Sequence, residues 1–246
     1  MSSALVPFHG LWIASHPISI LGMPLSATMT VVRLAHGGLL LVSPIARTPS
    51  LAREVEALGE VTDLYAPNTF HHGWIGEWAA AHPEARIHAP EALATKRPDL
   101  RVARAHDVTR DHALSHVLEE IHVEGFRLEE TLLVHRESGT LIVADLVHNI
   151  GAPPHAWTRL YAGAMGFYDR VALSRMIRWT AFSDRRAAAR SLSELAATPF
   201  DRVIVGHGTP LGEGGRDAVL EAYAWLDHAR PTLALPPTRH EPSPCG

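Results

Sequence analysis

The sequence predicts an α/β (α+β) chain, on three observations. Short apolar runs bounded by Gly, Pro and Asn alternate with amphipathic stretches through the first hundred residues. Near Val117 the pattern changes to strands in hairpin succession. Helical periodicity then returns between strands towards the C-terminus, which calls for helices packed on two sheets.

Trp12 and Ile13, then Met29–Leu34 and Gly38–Val42, read as strands of an opening β-meander. Ser50–Leu58 is an amphipathic helix with Leu51, Val55 and Leu58 on one face and Gly59 as its stop. Val61, Leu64 and Ala66 form a buried strand that Pro67 and Asn68 end, and Gly73–Ala81 is a helix stopped by His82-Pro83. Arg86–Ala89 reads as a short strand and Glu91–Lys96 as a helical piece. Leu132–His135 and Leu141–Val147 flank the turn Glu137-Ser138-Gly139-Thr140 as a β-hairpin. Residues 151–182 are aromatic and basic, and read as a helical insertion over one face. Asp184 caps a helix to Ala197, Arg202–Val205 is a strand, and Asp217–His228 closes the core. One domain over residues 1–229 and a flexible Pro-rich tail over 230–246 are expected.

A formal net charge of -4 offers no basic face for nucleic acid. The single Cys245 excludes an internal disulfide and a thiolate cage, and fits a reducing, cytoplasmic setting. No apolar run approaches the roughly 18 residues of a spanning helix. The uncharged opening segment is broken by Pro7, Gly10, Pro17, Gly22 and Pro24, so it is not a signal peptide. The expected partner is a small-molecule substrate, with neither nucleic acid nor membrane, and a homodimer is left open.

Chemistry is expected where strands end, because strand C-termini in α/β proteins open onto a crevice. His71 and His72 follow the Val61 strand, Asp145 and His148 follow the strand LIVAD, and His207 follows Arg202–Val205 in Gly-His-Gly. Imidazole nitrogens and one carboxylate from separate strand ends form a donor set for zinc or iron that leaves a position for water. The other histidines share no spacing. For Asp145 a salt bridge to Arg159 or Arg175 competes with ligation, and Asn68 reads as a turn residue.

The order of these features resembles the metallo-β-lactamase superfamily over about Leu11 to His228. That likeness implies a four-layer αββα sandwich. In that superfamily a strand ends in Thr-His-x-His-x-Asp-His-x-Gly, a later strand ends in Gly-Asp, and a late strand ends in Gly-His. Here APNTFHHG, IVADLVHN and VIVGHG stand in those places. Pro67 and Thr69 replace the first two histidines, and Gly125-Phe126 replaces a Gly-His turn. The segments PNTFHHGWIGEW and PFDRVIVGHG look like a divergent branch of the superfamily known as a domain of unknown function.

The expectation is a metal-dependent hydrolase with an altered, single-metal site activating water on an ester, thioester, amide or phosphoester. His72, Asp145 and His207 are the expected metal ligands, with His71 and His148 as additional ligands or proton carriers, and His71 and Asp145 are the catalytic candidates. Zinc is the first choice of divalent metal, with iron or manganese as alternatives. A catalytically inactive binding scaffold and a redox variant are the competing readings.

Overall fold

The computed structural model describes residues 4–226. Two sheets are stacked face to face, with helices on both outer sides. The first sheet runs in chain order: β1 (Val6–Phe8), β2 (Leu11–Ile20), β3 (Met23–Arg33), β4 (Leu39–Val42), β5 (Val61–Tyr65), β6 (Arg86–Ala89) and β7 (Val102–Ala105). It is antiparallel from β1 to β4 and parallel from β4 to β7. The parallel steps are crossed by α1 (Pro49–Leu58), α2 (Ile75–Ala81) and α3 (Glu91–Lys96). After α4 (His112–Ser115) comes the second sheet of β8 (Leu118–His122), β9 (Thr131–His135), β10 (Thr140–Val143) and β11 (Arg202–Val205). Its order is β11-β10-β9-β8.

Period-two alternation inside unbroken apolar runs builds the four layers. In β4, Leu40 and Val42 point into the space between the sheets, while Leu39 and Leu41 point out to the helices. In β11, Ile204 faces inward, whereas Val203 and Val205 meet α7 (Arg185–Ala197) and α8 (Gly215–Ala222). Strands covered on both faces need apolar residues at every position, which is why GLLLV and RVIV carry no polar alternation. Thr48 caps α1 by accepting from the Leu51 amide, and Asp184 caps α7 by accepting from Arg186 and Ala187.

Several boundaries differ from those the sequence suggests. β2 and β3 are long strands that run through Pro17 and Pro24. Beyond Ile13, β2 has no neighbour on its β1 side, and β4 pairs with β3 only over Thr30–Arg33, so both prolines sit on open edges where no ladder bond is lost. β7 and α4 have no clear sequence signal. Residues 151–182 are helical in two pieces, α5 (Ala156–Met165) and α6 (Arg175–Thr180), around a small core of Ala162, Phe167 and Ala172. The expected tail at 230–246 lies outside the described residues. Among those residues no helix is long and apolar enough to cross a membrane.

A buried polar seam also joins the sheets. Tyr65 donates its hydroxyl proton to Glu120 at 2.8 Å, and Arg104 pairs with the same carboxylate. His106 stacks on Tyr65 at 4.6 Å, donates from Nε2 to the Ala66 carbonyl at 2.8 Å, and lies 3.0 Å through Nδ1 from the Thr131 hydroxyl. A carbonyl can only accept, so Nε2 carries the proton and Nδ1 takes one from Thr131. Burial pushes this imidazole down to about 3. The unfolded chain, with a histidine near 6.5, therefore binds the proton first, and stability falls as pH drops below that value. Denaturant unfolding between pH 5 and 6.5 should lose up to about 1.4 kcal/mol per pH unit from this residue, and His106→Gln should flatten the slope by that amount.

Candidate metal centre

Strand register brings the site together. β10 and β11 are parallel with Val143 opposite Val205, so Asp145 and His207 each follow two residues past the last pair and emerge side by side. The loop after β5 enters from the other sheet. His71 Nε2 lies 3.5 Å from Asp145 Oδ2, and His207 Nε2 lies 3.5 Å from Asp145 Oδ1. One donor atom from each of the three falls within 4.8 Å of the others.

The remaining imidazole nitrogens are committed elsewhere. His207 Nδ1 donates to the Ser26 carbonyl at 2.8 Å, which turns Nε2 towards the cluster. His71 Nδ1 lies 3.2 Å from the Ser43 hydroxyl. Ser43 itself has φ of +51° at the end of β4, a conformation costly for serine, so this contact is held at the cost of local strain. Burial alone would raise the Asp145 carboxyl, yet the charge of His71 and hydrogen bonds from His207 and His71 hold it well below the usual carboxylate range. His71 is raised in turn: burial works against its charged form, and Asp145 outweighs that.

Two residues outside the candidate set organise the cluster: Asn68, expected only to end the strand as a turn residue, and Glu130. Asn68, fully buried, donates from Nδ2 to Asp145 at 2.9 Å and to Glu130 at 3.0 Å. Its Oδ1 accepts from the amides of Phe70 and His71, which fixes the loop that presents His71. Glu130 accepts the amides of Ala144, Asp145 and Leu146 and so holds the turn after β10. Burial first, then the charge of Asp145, raises Glu130 to about 7. The Asx-turn of Asn68 is visible in Pro-Asn-Thr; Glu130 reads as one of a solvated Glu129-Glu130 pair and gives no signal.

His71, Asp145 and His207 thus meet, and His148 lies beside them without joining the close set. Its ring is 5.7 Å from that of His207. Its buried Nδ1 has no hydrogen-bond partner. Burial, then His207, lowers it to about 4, so it is neutral at ordinary pH. His72 is turned away: Arg97 Nη1 donates to its Nδ1 at 3.1 Å, and burial with the charges of Lys96 and Arg97 lowers it. Adjacent residues diverge, and the Asx-turn selects His71. The Asp145 salt bridge to Arg159 or Arg175 does not form either, because these arginines bond the carbonyls of Pro154 and Ala164.

Solved structures match this architecture nearly end to end. A metallo-β-lactamase from Pontibacter korlensis superposes with a TM-score of 0.62, covering 91% of this chain and 98% of that one at 12% identity. The chain has the metallo-β-lactamase fold. The FIM-1 metallo-β-lactamase of Pseudomonas aeruginosa in its mono-zinc form matches with a TM-score of 0.59 over 89% and 93% of the two chains, at 12% identity. A metal-soaked flavodiiron core from Synechocystis sp. matches at 0.63 over 91% and 60%, again at 12%. No protein-family model and no curated protein matches the sequence, so the likeness stands at the level of fold.

A donor set of two imidazoles and one carboxylate, each oriented through its far side, fits a divalent ion of the zinc or iron type. Asn68→Ala should leave two buried carboxylates short of a donor, costing about 2–3 kcal/mol by denaturant unfolding and weakening metal uptake. Gly206→Ala probes the geometry directly. A Cβ there would stand 2.7 Å from both the Ala144 carbonyl and His71 Cε1 and 3.0 Å from Ala144 Cα, so both the turn that carries Asp145 and the His71 ring must shift. Metal affinity should drop at least tenfold in competition with a chromogenic chelator.

Proposed function

We propose that the chain is a metal-dependent hydrolase with a single-metal site, held by His71 Nε2, the Asp145 carboxylate and His207 Nε2. The observation that carries this reading is the convergence of those three donors from both sheets, with the far nitrogen of each imidazole already engaged. The mono-zinc form recorded for the Pseudomonas enzyme supports one metal as a workable load on this fold, and the flavodiiron relative supports iron as the second choice after zinc. A bound divalent ion would supply Lewis acidity, polarising a carbonyl or phosphoryl oxygen and lowering the pKa of a water.

The chain's own groups do the rest. Asp145 stays ionised across the physiological range and, with Glu130 and Asn68 behind it, keeps a fixed orientation. His148, neutral and lining the cavity beside His207 with a buried Nδ1 that has no partner, is the base nearest the cluster that is not one of the three donors. In hydrolysis the oxygen of water bonds to the acyl or phosphoryl centre, the bond to the leaving oxygen, sulfur or nitrogen breaks, and the water's protons end on the leaving group and the medium. With Cys245 its only thiol, the protein is assigned to a reducing compartment, the cytoplasm.

Tag-free protein should carry, or take up from solution, about one equivalent of zinc, iron or manganese by elemental analysis. His71→Ala, Asp145→Asn and His207→Ala should each lose it while keeping their circular dichroism, and His72→Ala should keep it. His148→Ala should retain the metal and lose turnover by about 10²-fold. Protein that binds no metal after incubation with each ion would overturn the hydrolase reading in favour of a binding scaffold.

A further inference from the structure

The cluster forms the floor of a cavity of about 500 Å³, within the usual range for a small-molecule site. Its walls come from the outer ends of β2 and β3, from the Phe70–Trp74 segment and from the α5–α6 insertion. Isoleucine, leucine, methionine and aromatic side chains dominate them. Among the described residues that line the cavity, Asp145 is the one carboxylate, and no lysine or arginine is present. Nor do the insertion's cations reach in. Arg159 and Arg175 bond main-chain carbonyls, and the Arg178 guanidinium sits 4.1 Å over Trp225.

We propose that the substrate is a neutral acyl compound, an ester or thioester whose acyl group is a hydrocarbon chain or ring seated among Ile18, Leu25, Phe167 and Ile177. This rests on the hydrolase reading and narrows it. With the ion bound at the floor, an anionic group anywhere else on the substrate would face apolar walls and no compensating lysine or arginine, which is costly. The polar handles match a neutral ligand. Ser174, 4% exposed, lines the cavity with a buried Oγ that has no partner, and can donate to an uncharged acyl oxygen.

The mouth carries the same signature. Leu21, Phe70 and Met176 line the cavity and are 61%, 64% and 41% exposed. Leu21 sits with φ of +51° in the two-residue turn between Ile20 and Met23, where asparagine or glycine is favoured. Trp157 Nε1 donates to its carbonyl at 3.1 Å, tying the insertion to the hairpin tip. A leucine in that conformation trades turn stability for an apolar side chain at the entrance.

Two readouts separate this inference from the hydrolase reading. The first needs no turnover: displacement of the fluorescent neutral probe N-phenyl-1-naphthylamine from metal-loaded protein by 2-alkanones of increasing length. Affinity should rise about threefold per methylene until the cavity is filled, and the matching alkanones with a carboxylate at the far end of the chain should bind at least tenfold more weakly. The second is kcat/KM on p-nitrophenyl esters from acetyl to dodecanoyl, expected to climb with chain length in the same way. The double variant Leu21→Asn with Met176→Glu alters two exposed positions, so it should keep its fold and metal content and flatten both series. Binding that follows chain length without ester cleavage supports the cavity assignment and sinks the hydrolase reading. Cleavage that is flat with chain length, preference for the anionic ligands, or no displacement by any alkanone would overturn the inference.

Discussion

One amide group holds the centre of this protein together. Asp145 and Glu130 are carboxylates buried within reach of a single side chain, and two like charges out of water repel unless donors stand between them. Asn68 Nδ2 is that donor for both. Its other end orders the turn that carries His71, so a single residue sets the electrostatics of the floor and the position of a ligand supplied by the opposite sheet. Lose it, and the loop, the carboxylate pair and the imidazole all lose a partner together.

That arrangement is possible because the sheets put it there. Parallel pairing of β10 with β11 lets Asp145 and His207 emerge level with one another, and the inner apolar layer of Leu40, Val42, Leu133, Ile142 and Ile204 keeps the two sheets at a fixed spacing beneath them. At the top of this layer the apolar contacts give way to hydrogen bonds. The Thr28 amide donates to the Gly206 carbonyl at 3.0 Å, and His207 reaches the Ser26 carbonyl. The apolar packing between the sheets therefore ends where the donor cluster begins, and the insertion covers one side of the cavity above it.

Much of this was legible in the sequence, for physical reasons. Apolar runs bounded by Gly and Pro located most strands of both sheets, and histidine or aspartate close after such runs pointed to His71, Asp145 and His207. What escaped reading depended on partners far along the chain. Pro17 and Pro24 looked like strand breakers because the sequence does not reveal which edges are open. The sequence favours His72 over His71 as the ligand, and the structure reverses this, since the Asn68 turn decides which ring faces inward. Glu130 looked like surface charge, being one of two adjacent glutamates whose burial depends on a strand pairing with β10. In the basic insertion, Arg159 and Arg175 bond main-chain carbonyls and Arg178 lies over Trp225, partners that no local pattern announces.

The donors also differ in origin: His71 belongs to the half of the chain that builds the first sheet, and Asp145 and His207 to the half that builds the second. An ion bound by all three would be a cross-link between two halves joined covalently only through the segment around Asp107–Asp111. The site is thus a reporter of assembly as well as a candidate for catalysis. In a chain cut at that segment, metal capture would register the moment the two sheets dock, and neither fragment alone would hold the full set of ligands.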